Sequence, residues 1–461
     1  MEHKKNFLLN NYLYLVALYF ALFFIIRIYL GGSLERDEAE QMFLYNNLSL
    51  GYGTQPPLYT WVQQLFFYIF GSNLIALALL KNILLFSAYF FIYKSTYILT
   101  KNKTISIIAI ASMFLIPPCA WECQRDLTHT VIALTTSSIT LYYILYLREK
   151  NKLFVKNFII LGILTALMML SKYNLIIFII ALIIASLFDN KLKKFILSKY
   201  IFITILVAFL TLLPHLIWLK QHLIFAIDGT LNKLNRDNFN LFTLVKNYIL
   251  SILELFTLYG VIFFILFKKN ITKKGSIFLK HHQIIVIILT LLILLVLQAT
   301  TIKSRWLVTL LFPTIIYFAT KLDTSNIEKK ANTFLRISIF FMALIISAYI
   351  LRVTNPTIFH KNPRFNYPYK KLITKYLNSN IKKPIYTSLL SGGNIRYIYP
   401  NLNIKILKNL NIKEKSLILI DKDTLYLKDK IEQKLNIRFK KLETNYKNSK
   451  DKFILYLGRY Q

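Results

Sequence analysis

Long apolar segments separated by short polar ones fill the first 352 residues of the chain. About 20 apolar residues are enough to cross the hydrocarbon core of a bilayer as a helix. The pattern predicts a polytopic membrane helical bundle with about eleven transmembrane helices. They are expected near residues 11–30, 74–93, 104–118, 128–147, 157–170, 174–188, 200–219, 245–267, 283–300, 306–320 and 333–351.

The loops between these spans differ in charge on the two sides of the membrane. Lysine and arginine concentrate in alternate loops, which is the bias that orients spans with their basic loops in the cytoplasm. Lys4 and Lys5 belong to the basic side, and Lys233 and Arg236 to the other. The distribution predicts a cytoplasmic N-terminus. It places the loop 31–57 outside, followed by an interfacial helix over 58–70, which is too short to cross.

After residue 352 the pattern changes to short apolar runs between polar and proline-containing segments. Strands are predicted near 385–387, 403–407, 417–420 and 453–457, with a polar helix near 425–435. This alternation indicates a small extramembrane α/β domain over residues 353–461, on the outer side. The segment Ser391-Gly392-Gly393-Asn394 lacks the spacing of a phosphate-binding loop and is predicted to be a turn.

Composition agrees with a membrane protein, since 56% of the 461 residues are hydrophobic and the net charge is +36. The basic residues are scattered between spans and not gathered on one face, which argues against a nucleic-acid partner. Cys119 and Cys123 would share a helix face, so they form either a disulfide in an oxidising compartment or two unpaired thiols.

Polar chemistry concentrates in loops predicted to lie on the same outer face. Carboxylates facing cations there would suit a reaction between a charged lipid headgroup and a polar acceptor. The loops are Glu35-Arg36-Asp37-Glu38-Ala39-Glu40, Trp121-Glu122-Cys123-Gln124-Arg125-Asp126, Ser171-Lys172-Tyr173 and Lys303-Ser304-Arg305-Trp306. Each also has a structural explanation, because acids can cap a helix and interfacial Lys and Arg can anchor spans to headgroups.

The first loop continues as Gly51-Tyr52-Gly53-Thr54-Gln55-Pro56-Pro57-Leu58-Tyr59-Thr60-Trp61. The order of span, acidic loop, Pro-Pro segment and interfacial helix resembles the GT-C glycosyltransferases. It is most similar to the bacterial branch of lipid A aminoarabinose and galacturonic acid transferases, with protein O-mannosyltransferases as more distant relatives. Leu170-Ser171-Lys172-Tyr173 and Leu213-Pro214-His215-Leu216-Ile217-Trp218 add to a resemblance that covers residues 10–320.

The resemblance implies a bacterial inner-membrane enzyme that moves a sugar from a polyprenyl-phosphate donor to a lipid or glycolipid acceptor, lipid A or lipopolysaccharide core. Asp37 would be the general base, with Glu38 as a second catalytic carboxylate. Phosphate leaves without an acid, so the site needs a base and cations for the developing charge, and one displacement inverts the anomeric centre. Arg125, Lys172, Lys303 and Arg305 would bind the donor phosphate. Further substrate contacts are expected from Glu40, Tyr52, Gln55, Pro56, Pro57, Tyr59, Asp126, Tyr173 and His215.

One position departs from the aminoarabinose transferases, which carry a basic residue immediately before Pro-Pro. Gln55 stands there in this chain, and with its Gly-Tyr-Gly lead-in it is closer to the galacturonic acid transferase type. No definite cofactor is predicted. Glu38, Glu40, Glu122, Asp126 and His215 offer metal ligands without a spacing signature, so a divalent metal stays open.

The alternatives are a protein O-mannosyltransferase-like enzyme, a transporter or flippase for a lipid-linked sugar, and an inactive structural relative. A transporter places ionisable groups near the bilayer midplane. Here Arg27 and Lys81 lie near span ends. Only Glu254 lies deeper, and we expect it to face the bundle with a Tyr or Lys partner. The charges in outer loops favour interfacial chemistry over transport.

Overall fold

The computed structural model describes residues 7–231, 234, 239–359, 362–407, 412 and 414–460, without the side chains of 225 and 230. Lys4, Lys5, Lys233 and Arg236 of the charge argument lie outside the described residues. The chain forms two compact units. The helical unit contains Met1–Ala21, Ser49–Tyr59 and Lys81–Ile345, and the sheet unit contains Leu22–Leu48, Thr60–Leu80 and Ile346–Gln461.

This grouping cuts the chain at several points, whereas the sequence predicts one boundary after residue 352. In particular, the first half of the acidic loop and most of the following helix group with the C-terminal residues. The local reason is packing within the sheet unit, because Leu34, Ala39, Met42 and Phe67 belong to the same buried core as the strands.

Helices account for most of the chain before the sheet. In chain order they are α1 Phe7–Leu30, α2 Arg36–Phe43, α3 Leu58–Phe70, α4 Leu74–Thr100, α5 Lys103–Ser112, α6 Cys123–Arg125, α7 Thr128–Lys150, α8 Val155–Ser171, α9 Leu175–Ser186, α10 Asn190–Ile196, α11 Ile201–Leu231, α12 Leu241–Phe267, α13 Ile277–Val296, α14 Ser304–Leu311, α15 Pro313–Ala319 and α16 Ile327–Thr354.

Seven helices in the described part of the chain are long and apolar enough to cross a membrane. The number rises to nine if each of two bent pairs counts as one span, Lys103–Leu115 with Pro118–Arg125 and Leu175–Ser186 with Asn190–Ile196. Several of the eleven predicted spans are therefore shorter or broken. The span predicted near 306–320, for example, divides into α14 and α15 at Pro313, whose ring and missing N–H disrupt a continuous helix.

Helix packing in the helical unit includes one close approach that depends on glycine. A Cβ on Gly162 of α8 would lie 2.7 Å from the Thr204 carbonyl oxygen of α11. The two helices can therefore approach closely only because position 162 has no side chain.

Three further predictions concern single features of the helices. The bounds of α3 match the predicted interfacial helix, and its position at the membrane surface stays a prediction. Cys119 and Cys123 are buried free thiols. Glu254 lies on the exposed side of α12, so the expectation that it faces the bundle is wrong.

The remaining elements belong to the sheet unit. They are α17 Tyr369–Tyr376, β1 Ile385–Thr387, α18 Leu389–Ile398, β2 Ile404–Ile406, β3 Ser416–Ile420, α19 Lys428–Leu435, β4 Lys440–Asn445 and β5 Lys452–Tyr460. The strands form a five-stranded mixed sheet with the order β2-β1-β3-β5-β4. The first strand pairs in parallel with the second and third, and the fifth runs antiparallel to its neighbours. Separate apolar clusters form on its two faces, one with α2, α17 and α18 and one with α19.

Four of the five strands and the polar helix appear where the alternation of apolar runs predicts them, and β4 was not predicted. The turn predicted at Ser391–Asn394 is wrong, because these residues lie inside α18. The glycines are used for packing. A Cβ on Gly393 would lie 2.1 Å from the Ala39 carbonyl oxygen, so α18 and α2 approach more closely than any other residue would allow.

Candidate active site

The acidic cluster forms the start of α2 in the sheet unit. Glu35 precedes the helix, and its backbone N–H donates to Glu38 Oε2 over 3.0 Å. Asp37 lies in the first turn and is half-buried. Carboxylates in a first turn are favoured by the positive end of the helix dipole. Glu40 is also half-buried.

Glu38 is buried and bound on both oxygens by Arg27 of α1. Arg27 Nε lies 2.9 Å from Glu38 Oε1, and Arg27 Nη2 lies 2.7 Å from Glu38 Oε2. The guanidinium also donates to the Gly31 and Ser33 carbonyl oxygens and stacks 4.3 Å from the Phe365 ring centroid. A buried, bidentate ion pair of this kind fixes geometry.

The other residues around Asp37 contact the C-terminal part of the sheet unit. Glu35 is fully buried and pairs with Arg364 over 2.8 Å, whereas Arg36 lies 4.0 Å from Asp423 at the surface. The Leu34 N–H donates to Asn394 Oδ1 over 2.9 Å. Leu34 and Glu35 are therefore held from the C-terminal side, which fixes the backbone that leads to Asp37.

In the helical unit, the segment between α5 and α7 is irregular. The chain bends by 75° after Leu115 and continues as the π-helix Pro118–Glu122. Leu127 then adopts a left-handed conformation with φ of 66°. π-turns and strained non-glycine residues concentrate at functional sites, so this segment, which carries Glu122, Arg125 and Asp126, is a site candidate on its backbone alone.

Cations gather around this segment. Arg305 Nη1 lies 3.4 Å from Glu122 Oε2, and Lys172 Nζ donates to Thr130 Oγ1 over 3.1 Å. Lys81 is buried, and its ammonium group, like that of Lys172, lies close enough to the Cys123 thiol for the two to interact electrostatically. Among the described residues, Arg125 Nε is buried without a hydrogen-bond partner. Lys303 lies 5.8 Å from the Trp306 ring centroid.

The segment from Leu50 to Tyr59 is fixed by contacts to α11. Gly51 lies against the indole of Trp218, where a Cβ would come within 2.3 Å, and Thr54 fills the space beside Gly229. Gly53 has φ of 51° in the turn that a bridge between Tyr52 and Gln55 closes. Pro56, Pro57 and Tyr59 are buried, and Tyr59 lies 6.1 Å from the His129 ring.

His215 connects this segment to the Lys172 loop. Its Nδ1 lies 2.9 Å from the Leu50 carbonyl oxygen, which can only accept, so Nδ1 carries the proton. Its Nε2 then accepts from the Tyr173 hydroxyl over 3.0 Å. Burial raises the pKa of Tyr173 to about 12, so this hydroxyl stays protonated and keeps donating at neutral pH.

Gln55, Lys172 and Tyr173 line one cavity of about 210 Å³. Thr54, Asn174, Thr290 and Trp306 are the other polar or aromatic residues of the lining. The aliphatic part consists of Ile177, Leu234, Ile293, Leu294, Leu297, Ile302, Leu307 and Leu310. A cavity lined by one cation, a few polar groups and a larger number of aliphatic side chains fits an amphiphile with an anionic head.

The predicted site residues thus separate into groups. Asp37, Glu38 and Glu40 belong to the sheet unit, and the cations belong to the helical unit. His215 contacts a cavity residue, but Arg125, Asp126, Lys303, Arg305, Tyr52, Pro56, Pro57 and Tyr59 do not line this cavity. Within the described residues, no three His, Cys, Asp or Glu side chains form a group that could hold a metal ion.

Sequence reasoning assigned no role to three cations that the structure makes prominent. Arg27 and Arg364 hold the acidic cluster, and Lys81 is buried beside the irregular segment. A signal was present for Lys81 and Arg27, because an ionisable residue within an apolar span is costly and marks a partner or a function. Arg364 carries no such signal in a polar segment.

Comparison with known proteins identifies the family. A family model described as dolichyl-phosphate-mannose-protein mannosyltransferase matches residues 54–218. The lipopolysaccharide core galacturonosyltransferase RgtB of Rhizobium johnstonii is 33% identical over 408 residues, which are 85% of this chain and 81% of the relative. The chain belongs to the GT-C glycosyltransferases. RgtA of the same organism, also a lipopolysaccharide core galacturonosyltransferase, is 29% identical over the same lengths.

Solved structures show the same fold for this GT-C enzyme. ArnT from Cupriavidus metallidurans bound to undecaprenyl phosphate superposes with a TM-score of 0.62 at 9% identity, over 97% of this chain and 98% of ArnT. The apo form of ArnT gives 0.58 at 10% identity, over 96% and 97%. The predicted fold class, a multi-span helical membrane protein with a small C-terminal α/β domain, is therefore confirmed, as is its assignment as a glycosyltransferase.

Proposed function

We propose that this GT-C enzyme transfers galacturonic acid from a polyprenyl-phosphate donor to the lipopolysaccharide core, at the outer face of the bacterial inner membrane. The observation that carries the proposal is the cavity that Lys172 lines together with mainly aliphatic side chains. A phosphate would lie at the lysine and the first prenyl units along the wall. The names of the relatives support the sugar and the acceptor, and Gln55 before Pro-Pro agrees with them.

In the proposed reaction, Asp37 accepts the proton of an acceptor hydroxyl as the oxygen attacks the anomeric carbon. The bond from that carbon to the phosphate oxygen breaks, the polyprenyl phosphate keeps the electron pair, and the configuration inverts. Lys172 stabilises the charge that develops on the leaving phosphate. Tyr173 and His215 hold the segment that presents Gln55.

Glu38 receives a different role from the one the sequence suggests. Both of its oxygens accept from Arg27 and one also accepts from the Glu35 N–H, so proton transfer at Glu38 would disrupt a buried pair. We assign it to positioning and keep Asp37, which is half-buried, as the base.

The deciding experiment compares the lipopolysaccharide of cells with and without the gene by mass spectrometry. We expect the core to lose a mass of one hexuronic acid, and we expect a plasmid with the native gene, but not with Asp37→Asn, to restore it. An unchanged core together with a missing hexose on envelope proteins would favour the protein mannosyltransferase activity that the family model describes. An unchanged core and unchanged proteins would refute the proposal.

The proposed orientation has its own test. Leu48 is 78% exposed and lies in the loop predicted to be outside, while Lys273 is exposed in a loop predicted to be inside. We expect Leu48→Cys to react with a membrane-impermeant thiol reagent in spheroplasts and Lys273→Cys to react only after lysis. The native cysteines are buried and contribute little background. The reverse pattern would overturn the orientation.

A further inference from the structure

A second cavity, of about 490 Å³, lies in the helical unit among α7, α8, α9, α10 and α11. It shares no lining residue with the cavity that contains Lys172. Its wall is formed by Leu161, Leu182, Leu192, Phe195 and other apolar side chains. Ile183, Ile205 and Phe209 are exposed, so part of the wall faces outward.

The few polar groups in this wall already have partners. Thr140, Thr165 and Ser186 each donate to the carbonyl oxygen four residues earlier, at 2.7 to 2.8 Å. Thr204 donates to the Phe158 carbonyl oxygen over 2.9 Å. A buried water needs two to four polar partners, and this wall does not provide them. Hydrocarbon is the occupant that the cavity suits.

Helix α10 forms one side of the cavity and has two distinct faces. Leu192, Phe195 and Ile196 line the cavity, while Lys191, Lys193 and Lys194 are exposed. Asp189 is the only acid between residues 150 and 227. It caps α10 through the Lys191 and Leu192 N–H groups and pairs with Arg148 over 2.7 Å. Its charge is thus balanced. Glu149, whose carboxylate also interacts with Lys191, pairs with Lys101 over 2.9 Å, so Lys191, Lys193 and Lys194 still give this edge a net positive charge.

We propose that this cavity binds an acyl chain of an anionic bilayer phospholipid, whose phosphate lies at Lys191, Lys193 and Lys194. The charge complementarity favours an anionic head, and lysines near an anionic leaflet each contribute to binding. These lysines belong to a loop predicted to be cytoplasmic, so the ligand comes from the inner leaflet. The site is independent of the proposed function, which acts at the other face.

The test measures lipid binding to the purified full-length protein by native mass spectrometry, with phosphatidylglycerol and phosphatidylcholine as probes. We expect phosphatidylglycerol to bind more tightly. The triple variant K191Q/K193Q/K194Q should weaken phosphatidylglycerol binding by roughly fivefold for each lysine removed and leave phosphatidylcholine unchanged. Ala208 is a small buried residue in the cavity wall, so Ala208→Leu should weaken binding of both lipids.

A matched control removes the same charge elsewhere. Lys268, Lys269 and Lys273 are exposed in another loop predicted to be cytoplasmic, and K268Q/K269Q/K273Q should bind phosphatidylglycerol like the native protein. Equal losses in the two triple variants would refute the site, because surface charge alone would explain the binding. Equal affinity for the two lipids would also refute it. A third outcome would refute it as well: polyprenyl phosphate displaces phosphatidylglycerol from the native protein but not from Ala208→Leu. The cavity would then be a binding site for the sugar donor and not for a bilayer phospholipid.

Discussion

The acidic cluster of α2 and the cationic segments of the helical unit look alike in the sequence, as groups of charges next to apolar spans. In the structure they differ. Glu35 and Glu38 are buried and paired with arginines, so two of the four acidic charges hold the helix in place. Lys172 lines a cavity, and Arg125 keeps a buried Nε without a partner in the described part of the chain. The paired acids thus position the helix that carries Asp37, whereas Lys172 contributes its charge to the wall of a cavity.

The largest effect is expected at the proposed base. Asp37→Asn keeps the shape and removes the proton acceptor, so sugar transfer should fall by roughly 10²–10⁴-fold. The rate should be measured with purified enzyme in liposomes that contain donor and acceptor, alongside the thermal unfolding midpoint, which should not change. Near-normal turnover would exclude Asp37 as the base.

The next effect concerns stability. Glu38→Gln leaves Arg27 buried without its charge partner, and loss of one member of a buried pair costs about 3–5 kcal/mol. Unfolding in denaturant should show this loss, and the double variant Arg27→Met with Glu38→Leu should recover part of it. Glu414→Gln is the control, since Glu414 pairs with Lys405 while both are exposed and such pairs contribute at most about 1 kcal/mol. Similar losses at Glu38 and Glu414 would contradict the positioning role.

A smaller loss of activity is expected when the lysine that lines the first cavity is replaced. Lys172→Met should lower kcat/KM for the donor by roughly 10–100-fold, which corresponds to one lost hydrogen bond to a charged group. Lys220 is exposed on α11, and Lys220→Met is the matched control. If Lys172→Met and Lys220→Met lower kcat/KM by the same factor, Lys172 contributes only to the net charge of the protein and does not bind the donor.

Disturbing the packing of α2 on α18 should also lower the free energy of unfolding, by less than the loss of the Glu38 ion pair. Gly393→Ala places a methyl group against the Ala39 backbone, and overpacking of this sort costs about 1–3 kcal/mol. A Cβ on Gly260 would meet nothing within 4 Å, so Gly260→Ala in α12 should be neutral or stabilising. Thermal unfolding of the two variants makes the comparison, and equal midpoints would show that α2 and α18 can separate without cost.

The smallest effect is expected for Arg36→Gln. Arg36 and Asp423 lie 4.0 Å apart with both side chains about half exposed. Surface substitutions of this type change stability by at most about 0.5 kcal/mol. Unfolding and turnover should both match the native enzyme. A large loss of turnover would show that Arg36 binds substrate. The charges of the 35–40 segment would then serve for binding as well as for holding the helix.

The sequence predicts elements well where periodicity and length are unambiguous. The long spans, α3 and four of the five strands appear where the pattern puts them. Strand β4 was missed because its residues, Lys440 to Asn445, are mostly charged or polar and lack an apolar run. The prediction of a turn at Ser391–Asn394 is wrong, although two adjacent glycines are typical of turns. The contact of α18 with α2 explains why these glycines lie inside a helix.

The candidate site was predictable in part. Lys172, Tyr173, Gln55 and His215 come together as the motifs indicate. The roles of Glu38 and Glu35 could not be read from the chain, because Arg27 lies eleven residues before Glu38 in a span and Arg364 lies more than 300 residues after Glu35. Contacts at such separations depend on the fold and leave no periodic signal.

The fixed backbone around Gln55 has a consequence for which positions of this segment tolerate exchange. Any side chain at Gly51 would meet the Trp218 indole, and a Cβ on Gly229 would meet Thr54, so an exchange at either glycine would move the segment. Gln55 lines the cavity, so an exchange at position 55 changes the cavity wall directly. Mutational routes to a different cavity lining therefore lead through position 55 more easily than through the two glycines.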